Sequence, residues 1–127
     1  MDRVLWAGAR GFFGAALRYA LGTTLARAKG GSTFPWETLV INVIGCLAIG
    51  VLGTLADSRG LITGTARVFV IAGILGGFTT YSAFGYETFQ LMRNGQAAAA
   101  FGSIALQLLL GLAAVWAGAA IARGAWN

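Results

Sequence analysis

Histidine is absent from this sequence of 127 residues, and cysteine and proline occur once each, as Cys46 and Pro35. A lone cysteine cannot form a disulfide within the chain, and without histidine the usual zinc and haem ligand sets are missing. A nucleophile paired with a base is missing too, because Ser82 has no histidine partner and Glu87, the nearest carboxylate, follows only after a further turn of helix. We therefore expect no enzymatic activity.

Charged residues are also scarce. They make up 10% of the sequence, against about 25% in a soluble domain. Apolar residues make up 57% of the sequence and the mean hydropathy is +0.76. The net charge of +5 is spread along the chain without a basic run, so the sequence predicts neither nucleic-acid binding nor a polybasic lipid anchor. This composition is typical of a protein embedded in membrane lipid.

The apolar segments predict an all-α membrane protein with a single domain. Four spans of roughly 20 residues each would use most of the chain. The predicted transmembrane helices cover residues 4–26, 38–56, 67–93 and 97–122. The 20 glycines suit helices that approach one another closely in lipid.

Few polar residues lie inside these spans, and each has two interpretations. Arg18 either faces protein or water within the first span or extends to the membrane interface. Asn42, in the second span, either bonds a neighbouring helix or lines a pore. Ser103 and Gln107 share one face of the fourth span, where they either form interhelical hydrogen bonds or contribute to a polar path.

The third span has poor helix formers at its centre. Adjacent glycines, Gly76 and Gly77, are followed closely by the β-branched pair Thr79 and Thr80. We expect a helix break here, and broken backbone at membrane depth must be covered by protein or border a wet cavity. In transporters such breaks expose backbone groups that hold ions.

Aromatic residues follow the predicted break at helical spacing. Tyr81 and Phe84 come directly after it, and Glu87 lies one turn later. An aromatic ring edge carries partial positive charge, so it can solvate a small anion in a dry passage. The amide of Asn42 and nearby hydroxyls can donate hydrogen bonds to the same ion. Core packing is the alternative role for the two aromatic residues.

Basic residues near the span ends are almost balanced between the two sides of the membrane. With four spans, four of them lie on one side and three on the other: Arg3, Arg59, Arg67 and Arg123 against Arg27, Lys29 and Arg93. Orientation follows the Lys/Arg bias, which is nearly absent here. We therefore expect the chain to insert both ways, which permits an antiparallel dimer with its two-fold axis in the membrane plane.

Three motifs resemble one known family. Residues 76–87 read Gly-Gly-Phe-Thr-Thr-Tyr-Ser-Ala-Phe-Gly-Tyr-Glu. This string is similar to the signature Gly-Gly-(apolar)-Thr-Thr-(aromatic)-Ser-Thr-Phe-Ser-x-Glu of the Fluc fluoride channels, also called CrcB proteins. Pro35-Trp36-x-Thr38-Leu39-x-x-Asn42 resembles the start of that family's second helix, and Gly14-Ala15-x-Leu17-Arg18-Tyr19 resembles the segment around the arginine of its first helix.

The resemblance implies a function and an assembly. Fluc proteins are dual-topology homodimers of four-helix chains in the inner membrane, where they export fluoride passively and relieve its toxicity. Each dimer has two pores and a structural sodium ion on its two-fold axis. By position, the backbone carbonyls of Gly76 and Thr79 would bind this ion. The residues implied to line or flank the fluoride path are Arg18, Asn42, Thr80, Tyr81, Ser82, Phe84, Glu87 and Gln107.

The sequence departs from the family pattern at several of these positions. Tyr81 stands where phenylalanine is common, and Ala83 and Gly85 replace hydroxyl residues. In the fourth helix Gln107 and Gly111 stand where hydroxyls are frequent. Two other functions also stay open: a non-transporting membrane assembly subunit, and a small dual-topology multidrug exporter that uses Glu87 as its coupling carboxylate. A heterodimer with a second gene product is a further alternative to the homodimer.

Overall fold

The computed structural model describes residues 1–60 and 64–125, and this part of the chain is built of helices without a strand. The first two are α1 (Asp2–Ala28) and α2 (Trp36–Arg59). Next come α3 (Gly64–Arg67), a π-helical segment (Val68–Leu75) and α4 (Gly76–Phe78), which follow one another directly. The last two are α5 (Tyr81–Arg93) and α6 (Ala97–Gly124). The predicted all-α class is confirmed.

Three stretches among the described residues are long and apolar enough to cross a membrane: Trp36–Ser58, Phe69–Arg93 and Ala97–Gly124. The chain is therefore a multi-pass membrane protein. With 27 residues, α1 also has sufficient length. This helix is not one of the three stretches, because Arg10 and Arg18 lower its mean hydropathy. The division of the chain into four spans stays a prediction.

The helical backbone stops at Phe78 and resumes at Tyr81. Between them Thr79 and Thr80 are extended, with φ/ψ of −91/155° and −149/122°. The amide and the hydroxyl of Thr79 both donate to the Leu75 carbonyl, at 3.0 and 3.1 Å. The Thr80 hydroxyl accepts from the Ala83 amide at 3.3 Å, as an N-cap does. The two threonines thus complete the helix ends on either side of the interruption.

Glycines set the closest helix contacts. A methyl group added at Gly50 of α2 would meet the backbone of Val115 in α6, and one added at Gly118 of α6 would meet the backbone around Leu47 in α2. A methyl group added at Gly14 of α1 would likewise meet the backbone of the π-helical segment and of α4. These helices pack with their backbones in contact, as small residues allow in lipid.

The interior of the single chain is small. Its buried apolar residues are Leu39, Ile41, Ala56, Phe78, Leu91, Ala100, Ala114 and Ala122. Many large apolar side chains are exposed instead, among them Phe12, Tyr81, Leu112 and Trp116. An exposed apolar surface of this extent requires lipid or another protein to cover it.

Candidate functional site

A cavity of about 420 Å³ opens beside the extended pair Thr79-Thr80. Its polar and aromatic lining comes from three parts of the chain: Asn42 of α2; Thr79, Thr80, Tyr81 and Phe84 at and after the interruption; and Gln107 of α6. Gly76 also borders it, and the remaining walls are Gly45, Cys46, Ile49, Ile71, Leu75 and Leu108. Seven predicted site residues therefore lie around one space that contains no charged lining residue among those described.

Two side-chain amides meet at this cavity. The Asn42 Nδ2 group donates a hydrogen bond to Gln107 Oε1 over 3.2 Å. The other polar atom of each amide, Asn42 Oδ1 and Gln107 Nε2, is buried and lacks a hydrogen-bond partner within residues 1–60 and 64–125. A buried polar atom without a partner costs about 1–3 kcal/mol. The pair therefore holds unused hydrogen-bonding capacity at a space large enough for an ion or water.

Two aromatic rings form another side of the cavity. The Tyr81 and Phe84 ring centroids are 5.8 Å apart and the ring planes are tilted by 55°. Phe84 is half-buried, whereas Tyr81 is 85% exposed in the single chain. The helix α5 presents both rings on its first turn, because the Thr80 cap fixes where that helix begins.

A second cavity of about 460 Å³ lies on the other side of Thr80, which borders both. Arg18 of α1 lines this second cavity. The other lining residues are Ala15, Tyr19, Gly22, Thr23, Ala26, Glu37, Thr38, Ile41 and Ala83. The two cavities differ in charge, since the second one holds both a guanidinium and a carboxylate.

Glu87 is placed outside both cavity linings. Its Oε1 atom accepts a hydrogen bond of 2.7 Å from the Thr38 hydroxyl, which connects α5 to the start of α2. Thr38 itself is buried and lines the second cavity. The second carboxylate oxygen, Glu87 Oε2, is buried and has no partner in the described part of the chain. Glu87 can therefore influence the second cavity only through Thr38 or through space.

Ser82 is exposed and belongs to neither lining. Its hydroxyl lies 3.1 Å from that of Thr80. Sequence patterns missed the apolar wall of the first cavity, since residues such as Ile49 and Leu108 carry no chemical signal. They also missed Glu37, although a charged residue at the start of an apolar span was visible in the sequence.

Comparisons with known proteins identify the family of this sequence. The family model described as "CrcB-like protein, Camphor Resistance (CrcB)" matches residues 5–119. The chain is 42% identical over 126 residues to the fluoride-specific ion channel FluC of Opitutus terrae, which covers 98% of this chain and 95% of that protein. The FluC of Methylobacillus flagellatus is 39% identical over 118 residues, covering 93% and 92%. The FluC of Rhizobium etli is 41% identical over 123 residues, covering 97% and 98%.

Proposed function

The chain belongs to the CrcB-like protein family, and we propose that it is a fluoride-specific ion channel of the inner membrane. Fluoride leaves the cell through it passively, which relieves fluoride toxicity. Besides the similarity to the FluC relatives, one structural observation supports this proposal. The first cavity combines aromatic ring edges, two amides and hydroxyls, and no charged side chain lines it among the described residues. Such a lining binds a small anion weakly at several points, as conduction requires. A channel of this kind is not an enzyme.

The two cavities suggest a path for the ion. Arg18 in the second cavity attracts the anion by its charge. Thr80 borders both cavities, so its hydroxyl is available to an ion that passes between them. Beyond it, the amides of Asn42 and Gln107 donate hydrogen bonds and the rings of Tyr81 and Phe84 offer their edges. Ser82 and Glu87 flank this path.

The proposed active unit is an antiparallel homodimer with two pores, embedded in lipid. The near balance of basic residues at the span ends supports insertion in both orientations. The 85% exposure of Tyr81, a lining residue, supports a second subunit that closes the pore. In this assembly Gly64–Phe78 and Tyr81–Arg93 act as the two halves of a broken third transmembrane helix.

A structural sodium ion at the dimer axis is part of the same proposal. Among the described residues no cluster of His, Cys, Asp and Glu side chains is suited to a metal, so a cation here would depend on backbone oxygens. The carbonyls near the end of α4 lie where a helix leaves such groups without intrahelical partners. Gly76 is exposed, and Thr79 is extended. Their carbonyls, from both subunits, are the proposed ligands.

Flux through purified protein tests the function. Vesicles that contain the purified chain are loaded with fluoride, and efflux is recorded with a fluoride electrode after the membrane potential is relieved by a potassium ionophore. We expect rapid fluoride efflux and no matching chloride efflux. Vesicles that retain fluoride, although the reconstituted chain is folded and dimeric, would contradict the proposed function. Activity of the chain alone would also exclude an obligatory second gene product.

A further inference from the structure

An ion pair lies at the second cavity, at the point where α1 ends and α2 begins. Lys29 Nζ lies 2.9 and 3.1 Å from the two carboxylate oxygens of Glu37. The two side chains are only 20% and 24% exposed. Lys29 follows the C-terminus of α1, where a positive charge is favoured by the helix dipole. The pair is thus partly removed from solvent.

Glu37 belongs to the wall of the second cavity, together with Arg18 and Thr38. A carboxylate at the entrance of an anion path repels the ion that the path conducts. Glu87 adds a second carboxylate behind Thr38. Without Lys29, the negative charge of Glu37 would cancel the positive charge of Arg18 on the wall of this cavity. Lys29 supplies the positive charge that offsets Glu37.

We infer that Lys29 is a positioning residue for fluoride entry, which neutralises Glu37 and so allows Arg18 to attract the anion. This inference rests on the proposed fluoride function, because it assigns a role at the same path. Its effect is electrostatic and acts on the rate of entry. It therefore depends on the sign of the charge at position 37 and weakens as salt screens the charges.

A structural clamp is the competing role for the same ion pair. The bridge also ties the ends of α1 and α2 across a loop in which Gly30 and Gly31 have positive φ. If the clamp alone mattered, removing either partner would have the same consequence. The electrostatic role predicts opposite consequences, since loss of Lys29 exposes a negative charge whereas loss of Glu37 removes one.

The test compares Lys29→Gln, Glu37→Gln and the double variant with the original chain in vesicles, at fluoride concentrations well below saturation. At about 10 mM ionic strength, where the Debye length is about 30 Å, we expect Lys29→Gln to slow fluoride entry roughly three- to tenfold. Glu37→Gln should match or exceed the original rate, and the double variant should restore it. At about 1 M salt, where the Debye length is about 3 Å, the loss should become smaller, though less so than for fully exposed charges, because this pair is partly buried.

A second ion pair provides the control. Arg67 Nη2 and Asp57 Oδ1 are 2.7 Å apart, the two side chains are 51% and 66% exposed, and neither residue lines the first or the second cavity. Arg67→Gln should leave flux unchanged at both salt concentrations. Equal losses in Lys29→Gln and Glu37→Gln without rescue in the double variant, or a Lys29→Gln variant that is as active as the original, would overturn the inference.

Three further outcomes can be told apart. If Lys29→Gln does not assemble, Glu37→Gln decides by itself, because only the clamp predicts that it loses flux. If vesicles with the original chain hold their fluoride gradient, the proposed function fails and the inference fails with it. If the original chain conducts fluoride but the substitutions at positions 29 and 37 leave its flux unchanged, only the inference about Lys29 is refuted.

Discussion

Asn42 of α2 and Gln107 of α6 form a direct side-chain hydrogen bond, with the Asn42 Nδ2 group donating to Gln107 Oε1 over 3.2 Å. The bond joins two helices, and both residues also line the first cavity. Asn42 therefore both bonds a neighbouring helix and borders a cavity, so its two predicted roles are compatible. Gln107 Nε2 is buried without a partner among the described residues, so it can donate to an anion while Asn42 holds the Gln107 amide in place. We therefore expect the two residues to act as one binding unit.

The first prediction concerns this coupling. Asn42→Ala and Gln107→Met should each reduce fluoride efflux about tenfold or more, equivalent to at least about 1.4 kcal/mol. The double variant should lose less fluoride efflux than the two single reductions multiplied together, because the effects of substituting residues in contact are not additive. Initial efflux rates and the dimer fraction measured by gel filtration form the readout. Leu112→Met, on the exposed side of α6, is the control. Variants of Asn42 that fail to assemble would instead assign it a purely structural role.

The extended backbone at Thr79-Thr80 has a local cause. The pair Thr79-Thr80 disfavours helix, and its hydroxyls bond to backbone within four residues. The placement of Tyr81 and Phe84 on the first turn after it follows from the same short stretch. Helical spacing and composition therefore predicted the all-α class and the residues along one wall of the first cavity.

The contact between Asn42 and Gln107 could not be predicted in this way, because 64 residues separate them. It depends on how α2 crosses α6, which is set by backbone contacts at Gly50 and Gly118. Glycine counts predict that helices approach closely, yet they do not say which glycines meet. The same limit applies to the pairing of Lys29 with Glu37, since either charge could have faced solvent.

The second prediction tests the aromatic edge. Phe84→Ile should preserve the fold, because apolar swaps of similar volume usually cost less than about 1.5 kcal/mol. It should nevertheless lower fluoride efflux strongly, since an aliphatic side chain has no electropositive rim. Phe89→Ile is a matched control, because Phe89 lies on the same helix, is 55% exposed and borders neither cavity. Unchanged efflux in Phe84→Ile would mean that this ring only packs.

The third prediction separates the channel from a proton-coupled exporter. The Glu87→Gln variant keeps a side-chain oxygen that can accept the hydrogen bond from the Thr38 hydroxyl, which is 2.7 Å long with Glu87. For a passive channel we expect fluoride efflux within about threefold of the original, a change of under about 1 kcal/mol. An exporter that uses Glu87 for coupling would lose drug efflux completely in the same variant. Proton-driven drug uptake into vesicles that disappears with Glu87→Gln would therefore contradict the channel.

The fourth prediction addresses the packing of α2 against α6. Gly118→Ala should destabilise the protein by about 1–3 kcal/mol, because the added methyl group meets the backbone near Leu47 and Val51. Thermal unfolding in detergent measures the loss. Gly102→Ala is the control on the same helix, since a Cβ there meets nothing within 4 Å. Alanine at position 102 should be neutral or stabilising by up to about 1 kcal/mol. Equal melting temperatures for both variants would show that this contact is not tight in the membrane protein.

The fifth prediction concerns the proposed sodium ion. An ion that binds only the folded dimer stabilises it by about 1.4 kcal/mol for each tenfold rise in concentration above its Kd. The melting temperature should therefore rise with sodium chloride but not with choline chloride at equal ionic strength, because choline is too large for a site made of converging carbonyls. Side-chain substitution cannot remove backbone ligands, so the cation itself must be varied. Replacing sodium with choline should also lower fluoride efflux if the ion keeps the two subunits aligned. Identical melting curves in sodium and choline, with fluoride efflux intact, would remove sodium from the proposal and leave the anion path unaffected.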